Sequence, residues 1–476
     1  MRRKLAVALG VVAGVLGSGR AWAADDAYWR SIGAFLHERF DGKKDCMVIG
    51  VVDEKQTRVM AAGSLDNATG REVNGDTVFF IGSVSKTFTA LLLSEMNERG
   101  EVKLEDPVAR YLPASVKVPT HGAKEIRLVD LATQAGGFPM NASNMVGKDS
   151  REQYEGYTLE RMYAFISGFE LTRDPGEEFQ YSNVGMSLLG NAEERAAKKD
   201  FEKLLVERIC KPLGMESTCI HPTEEMKGRM AMGHDEKGNP EGPWELQAYI
   251  PAGSVHSTAN DLLKYAAAHA GITKSSLAGA IARTHVIAHE DFRGELDVPG
   301  FGAFGHTAMC WVDRDALQPA GMELLGHAGG SGSYHAWVGF DLKQHRGVVV
   351  LSTENDFSVE GVGWTVLQER PLKKETAGQF AHAQIGVGIV VDVDAKTGIV
   401  SVKSVVADSP ASRAGVTAGM VIRKIDEFAI DGKKLPDVTR LLHGDAGTKI
   451  RLELADAGGK VQVIQVERGK FMILPG

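Results

Sequence analysis

The sequence predicts an α+β chain. An antiparallel sheet is flanked by helices and interrupted by a helical subdomain, and a small β-rich domain follows. Three observations predict this. Apolar, β-branched runs occur early, at Asp45–Asp53 (DCMVIGVVD) and Thr57–Ala62 (TRVMAA). Strand-like runs return late, as MCWVD from Met309, YHAWVGFD (334–341) and GVVVLST (347–353), while the stretch between carries mainly helical patterns and long loops. Beyond about residue 385 the texture changes to short strands with frequent Gly and Asp. The chain has 476 residues, and at about 150 residues per domain it is long enough for two or three.

Taken in order, the elements support that layout. Residues 1–23 pair a basic start (Arg2, Arg3, Lys4) with an apolar run and the small-residue site Ala21-Trp22-Ala23. This is the pattern of a secretory signal peptide, with cleavage expected after Ala23 and no membrane span in the remaining chain. Ala27–Phe40 reads as an amphipathic helix. The runs 45–53 and 57–62, separated by polar Glu54-Lys55-Gln56, read as a hairpin. Thr87 to Arg99 reads as a buried helix ended by Gly100. Residues 354–367 form one more helix packed on the sheet. Arg370 to Gln384 is polar and weakly periodic, hence a linker. The strands GVGIVVD, TGIVSVKSVV, MVIRKID, TKIRLELA and KVQVIQVE then fill 385–476, with one helix at Leu435–Leu442. The division is therefore leader 1–23, main domain 24–369, linker 370–384 and C-terminal domain 385–476.

Charge and cysteine content exclude some functions. The formal net charge is −8. Removing the leader, with its four basic residues, leaves 50 basic against 62 acidic, or −12. A nucleic-acid partner is not expected at that charge. Four cysteines are present. Cys210 and Cys219 lie close enough in sequence to bridge a surface loop in an exported protein, whereas Cys46 and Cys310 sit in strand-like runs and read equally as buried thiols. No metal-ligand spacing occurs, so a metal site is not expected, and acyl transfer from a serine, the chemistry centred on Ser83, needs no cofactor.

The chemistry centres on Phe79–Ala90, FFIGSVSKTFTA. Ser83 and Lys86 are three apart at an expected helix start, so one turn places both on one face. A serine needs a base and a stabilised oxyanion to attack a carbonyl. The lysine can accept the proton, and the helix N-terminus supplies positive potential. Alone, Ser-x-x-Lys is equally a capped helix with a surface lysine. Further stretches add partners. Tyr181-Ser182-Asn183 offers a phenol beside the lysine, its pKa lowered from about 10 by the ammonium, and an amide for a substrate carbonyl. Tyr181 also reads as a packing aromatic and Asn183 as a helix N-cap. His327-Ala328-Gly329-Gly330 places glycines at the start of a strand, where backbone approaches a ligand closely. The Gly330 and Ser83 amides then make a two-donor oxyanion hole. Ala135-Gly136-Gly137-Phe138-Pro139 is a tight turn at the rim.

These blocks together resemble the class C β-lactamase family of serine hydrolases, which also holds esterases, D-aminopeptidases and carboxypeptidase-like penicillin-binding proteins. The resemblance runs from about Tyr28 to Trp364 and rests on IGSVSKTFTALLL, EVKLEDPVARYLP, LVDLATQAGGFP, PGEEFQYSNVGMSLLG, VERICKPLGMESTCI, PAGSVHSTANDLLKY and HAGGSGSYHAWVGF followed by GVVVLST. It implies a β-lactamase/transpeptidase-like fold with Ser83 as acylated nucleophile. Lys86 and Tyr181 would move its proton. Asn183, His327, Gly329 and Asn141 would lie against substrate. His327-Ala328-Gly329 departs from the Lys-Thr-Gly of true β-lactamases; a mostly neutral histidine holds a carboxylate less well, and family members acting on esters or peptides commonly carry it.

GVGIVV, VVADSPASRAGVTAGMVIRKID and LLHGDAGTKIRLEL resemble a bacterial PDZ domain. The resemblance implies that Gly386, Val387, Gly388 and Ile389 present backbone to a peptide C-terminus, which adds as a strand. Met420 and Glu427 depart from the usual Asp and Gly at turns. The expected protein is thus an exported serine hydrolase cleaving a peptide amide or an ester. An esterase or weak β-lactamase, and a non-catalytic peptide-binding adaptor, are the alternatives.

Overall fold

The main sheet is built from both ends of its domain. The computed structural model describes residues 25–235, 237–286, 288, 306–313, 321–354, 359–372, 382–393, 397–406, 409–430, 438, 441–442, 447–456 and 458–473. The expected leader and most of the expected linker therefore lie outside the described residues. Seven antiparallel strands stand in the order Thr57–Gly63, Cys46–Asp53, Arg346–Ser352, Tyr334–Asp341, Leu324–Ser331, Val312–Asp313, His306–Thr307. The hairpin expected at 45–62 and the strands expected at 334–341 and 347–353 are all present.

The central strands Cys46–Asp53, Arg346–Ser352 and Tyr334–Asp341 read as mainly apolar runs because helices cover both faces of the sheet there. Met47, Ile49 and Val51 share one core with Val348, Val350 and the helices Asp25–Phe40 and Val359–Leu367. Val48, Val52, Val349 and Leu351 point the other way, into the larger core that holds the helices Ser85–Glu98 and Ala259–His269. The glycines between them set helix approach. Leu263 fills the space above Gly50, and Trp337 lies against Gly363.

Three sequence expectations change. His327-Ala328-Gly329-Gly330 is not at a strand start. It lies within the strand Leu324–Ser331, whose register pairs Gly329 with Ala336 and Gly330 with His335; the hairpin turn is Gly332-Ser333. Dense glycine hid this strand, because glycine lacks the side chains on which strand patterns depend. The MCWVD stretch is mostly a turn. Only Val312–Asp313 pairs, and Cys310 has a left-handed backbone with φ 59°. The Cys210–Cys219 bridge is not formed. All four cysteines are free, Cys210 is buried in the core, and Cys219 Sγ lies 3.7 Å from Met226 Sδ.

The C-terminal residues form a second sheet with its own core. Its strands run Ile389–Val393, Val400–Val405, Val421–Ile425, Lys449–Ala455, Val461–Glu467, with Phe428–Ala429 paired beside Val421–Ile425. Val387, Val402, Ile422, Ile450, Leu452 and Val466 are buried between sheet and loops. Most of the helix expected at Leu435–Leu442 lies outside the described residues.

The Gly363 contact gives a test of packing. A Cβ built there lies 2.1 Å from the Trp337 ring. Gly363→Ala is expected to lower stability by about 1–3 kcal/mol through overpacking, read by urea denaturation. An unchanged midpoint would show that the helix sits further from the sheet.

Candidate active site

Ser83 sits in the tight turn Gly82–Val84 that leads into the helix Ser85–Glu98. Gly82 has φ 50°, a left-handed conformation that favours glycine. The turn is pinned from below by Ser85, whose hydroxyl donates to the Gly82 carbonyl at 2.6 Å and accepts the Val255 N–H at 3.0 Å. Ser85 is thus a structural neighbour of the candidate nucleophile. Ser83 itself is half-buried.

Lys86 is fully buried. Its Nζ lies 2.9 Å from Ser83 Oγ and 2.8 Å from the Ala252 carbonyl, and 4.8 Å from the centre of the Tyr181 ring. Desolvation disfavours the ammonium and pushes Lys86 down from 10.5 to about 7, with the Cys310 thiol opposing slightly. Tyr181 corrects the sequence expectation. Burial pushes its hydroxyl well above 10, and a hydrogen bond with Ser83 offsets this only in part. Desolvation of the phenol is the larger effect, and the neighbouring lysine, itself desolvated to about 7, does not reverse it.

The strand Leu324–Ser331 closes the other side. A Cβ on Gly329 would lie 2.1 Å from the Ile81 carbonyl oxygen and 2.8 Å from the Ser83 nitrogen, and one on Gly82 would lie 2.7 Å from the Gly330 nitrogen. Bare backbone from the strand therefore packs directly on the Ser83 turn. His327 is buried nearby. Burial, then the charge of Lys86, pushes it down to about 3. Its Nδ1 lies 2.6 Å from the Ala328 carbonyl. A carbonyl only accepts, so Nδ1 carries the proton and Nε2 is an acceptor.

The amides expected at the pocket edge also meet. Asn183 Nδ2 donates to Asn141 Oδ1 at 3.0 Å and approaches the Tyr154 hydroxyl at 3.2 Å, which in turn donates to Asn141 Oδ1 at 2.9 Å. The helix N-cap is Ser182, not Asn183: Ser182 Oγ accepts the Gly185 N–H at 2.8 Å.

Sequence reasoning missed two residues. Tyr154 comes from a short helix remote in sequence and carries no motif. Gln134, just before the glycine turn, clamps both neighbours of Tyr181. Its carbonyl accepts the Gln180 N–H at 2.6 Å and its Oε1 accepts the Ser182 N–H at 2.7 Å. It does so from a left-handed backbone, φ 60°, a strained state that surrounding structure must enforce. The Pro139 and Met140 carbonyls extend the contact by accepting from Ser182 Oγ and the Asn183 N–H. The stretch Ala135–Pro139 therefore supports 180–183 rather than forming only a rim. The signal available in sequence was a buried-type glutamine beside paired glycines.

In the second sheet, Gly386 ends a strand and Ile389 starts the next. The Val387 carbonyl accepts from Ala411 N at 2.8 Å and the Gly388 carbonyl from Val406 N at 2.9 Å. The strand Ile389–Val393 is at the sheet edge. Glu427 stands in the turn after the strand Val421–Ile425, whereas Met420 follows the turn at Ala418-Gly419 and its carbonyl accepts the Val402 N–H at 2.7 Å.

The Beta-lactamase family model matches residues 32–369. The chain belongs to the Beta-lactamase family. A PDZ domain model matches residues 401–456. Among relatives, the D-alanyl-D-alanine-carboxypeptidase/endopeptidase AmpH of Escherichia coli K12 is 30% identical over 219 residues, 46% of this chain and 56% of the relative. The chain thus spans about half the length of that curated relative. A Beta-lactamase of Pseudomonas fluorescens is 26% identical over 66% of this chain and 90% of its own length. A D-alanine carboxypeptidase AmpC from Burkholderia cenocepacia has a solved structure with TM-score 0.56 and 27% identity, covering 73% of this chain and 97% of that one. A Beta-lactamase/D-alanine carboxypeptidase from Yersinia pestis, 23% identical, shares the fold at TM-score 0.60 over 72% and 95% of the two chains.

Gln134→Met keeps the side-chain bulk and removes the acceptor for Ser182 N–H. Leaving that buried amide unpaired is expected to cost about 1–3 kcal/mol, measured by thermal unfolding. No loss of stability would show that the clamp is not needed.

Proposed function

We propose that this chain is a serine hydrolase that cleaves an amide or ester bond, of a peptide first, through an acyl-enzyme on Ser83. The observation that carries the reading is the buried amine of Lys86, pushed down to about 7 and 2.9 Å from Ser83 Oγ. Near neutral pH a large fraction of it is uncharged and able to take a proton. In the proposed reaction Ser83 Oγ bonds to the carbonyl carbon as its proton passes to Lys86. The Ser83 and Gly330 amides stabilise the oxyanion. Tyr181, holding its proton tightly, relays a proton from Lys86 toward the leaving group as the scissile bond breaks. A water then repeats the sequence and frees the acid. Asn183 and Asn141 hold substrate, with Gly329 and His327 against its other side.

A peptide is the first choice because the C-terminal PDZ domain offers the Gly386–Ile389 loop and an open strand edge to a peptide end. A second reading, hydrolysis of neutral esters, is favoured by His327: at about 3 it is uncharged at neutral pH and supplies no cation for a substrate carboxylate. The proposed chain is exported, with leader 1–23, hydrolase 24–369, linker 370–384 and PDZ domain 385–476. No helix among the described residues is long and apolar enough to cross a membrane.

Two measurements test the chemistry. Mass spectrometry after incubation with peptide, ester and β-lactam panels is expected to show an acyl adduct on Ser83, lost in Ser83→Ala along with roughly 10³-fold or more of turnover. Labelling nowhere would return the non-catalytic adaptor. The active Lys86 is the deprotonated one, so kcat/KM should fall as pH drops through about 7. Lys86→Ala should remove that limb together with about 10²–10⁴-fold of the rate. A flat profile between pH 6 and 8 would exclude Lys86 as base.

A further inference from the structure

A continuous wall leads away from the candidate site and ends in a carboxylate. Starting at Asn183, it passes to the Tyr154 hydroxyl at 3.2 Å. The Tyr154 and Trp244 rings lie 5.8 Å apart. The Trp244 indole donates to Glu241 Oε1 at 3.1 Å. Glu241 Oε2 lies 2.7 Å from Ser333 Oγ, at the tip of the hairpin that carries Gly330. Both ends of the wall are thus tied to elements that frame Ser83.

The carboxylate is only partly served. The Ser333 hydroxyl has one proton and faces two acceptors, Glu241 Oε2 and the His234 carbonyl at 2.5 Å. Its partners are a hydroxyl and an indole, neither a cation. On the same side, Arg151 is engaged by Glu155 at 2.8 Å and reaches the Gly242 and Pro243 carbonyls. The Gly332 backbone stands against the pair: a Cβ there would lie 2.8 Å from Glu241 Oε2 and 2.9 Å from Trp244 Nε1, so any side chain at this position would fall on the carboxylate. Glu241 and Trp244 are both half-buried, so a charge here is screened less than one in bulk water.

We infer that Glu241, with Trp244 and Tyr154, forms a subsite for a positively charged ammonium group on the substrate. A carboxylate attracts an ammonium by ion pairing and charge-assisted hydrogen bonding, and the aromatic side chains beside it keep bulk water from screening that pair. The same carboxylate repels an acidic arm. Gly332 opens the hairpin turn two residues after Gly330, so their backbones stand at most about 7 Å apart. The favoured ammonium therefore lies about that far from the scissile carbonyl. A lysine-type side chain reaches this distance, as does an amino group one residue further along a peptide. This inference rests on the hydrolase reading, and names the substrate class of that site.

Matched amides ending in an ammonium, a methyl or a carboxylate about six atoms from the carbonyl test it. One series places the charged arm on the acyl side and another on the leaving side. The wild-type protein should favour the ammonium over the methyl compound in kcat/KM by about tenfold in one series, with the carboxylate compound poorest. Glu241→Gln should bring the ammonium-to-methyl ratio close to one, and Glu241→Lys should favour the carboxylate. A ratio near one in wild type, or a ratio unmoved by Glu241→Gln, overturns the inference. Turnover of the methyl compounds, lost in Ser83→Ala, reports on the hydrolase reading separately. Calorimetric binding of the same compounds to the Ser83→Ala protein reads the end-group preference even if turnover fails.

Discussion

The backbone of Gly329 and Gly330 lies directly on the Ser83 turn, and the rest of the site depends on that contact. A methyl group on Gly329 would fall 2.1 Å from the Ile81 carbonyl, so any side chain would push strand and turn apart. That separation would carry the Gly330 N–H away from Ser83. The left-handed Gly82 is the counterpart on the other element. Strand and turn meet here backbone to backbone, the closeness that the proposed two-amide oxyanion hole requires.

Burial does the electrostatic work around this contact. The helix Ser85–Glu98 is buried over nearly all its length, and Lys86 is enclosed with it. Desolvation lowers the amine to about 7 and raises the Tyr181 phenol. The same low-polarity surroundings therefore divide two groups into an acceptor and a proton holder. His327 is driven neutral by the same cause. Order is maintained by the Gln134 clamp, which fixes the residues on both sides of Tyr181 from a segment nearly fifty positions away.

Much of this was legible in sequence because the informative features are local. Ser83 and Lys86 share a face by helical spacing, and the stretches 46–52 and 347–351 are apolar throughout because both faces of their strands are covered. The strand Leu324–Ser331 was not legible, since its glycines carry no pattern. Tyr154, Gln134 and Glu241 were also hidden. Each acts through a partner far along the chain, and none belongs to a motif with mechanical meaning of its own. The Tyr181 shift was misjudged because proximity to a lysine can be inferred from sequence, whereas the depth of burial of both groups cannot.

The two sheets, the order of the blocks around Ser83 and the shared helical face of Ser83 and Lys86 can all be read from the sequence. These follow from periodicity and short spacing, which act over a few residues. The folded packing sets how far burial shifts those groups, where the glycine strand lies, and where Glu241 stands along the wall. Desolvation and cross-chain contact depend on what is packed around a residue, and that is set only when segments hundreds of positions apart come together.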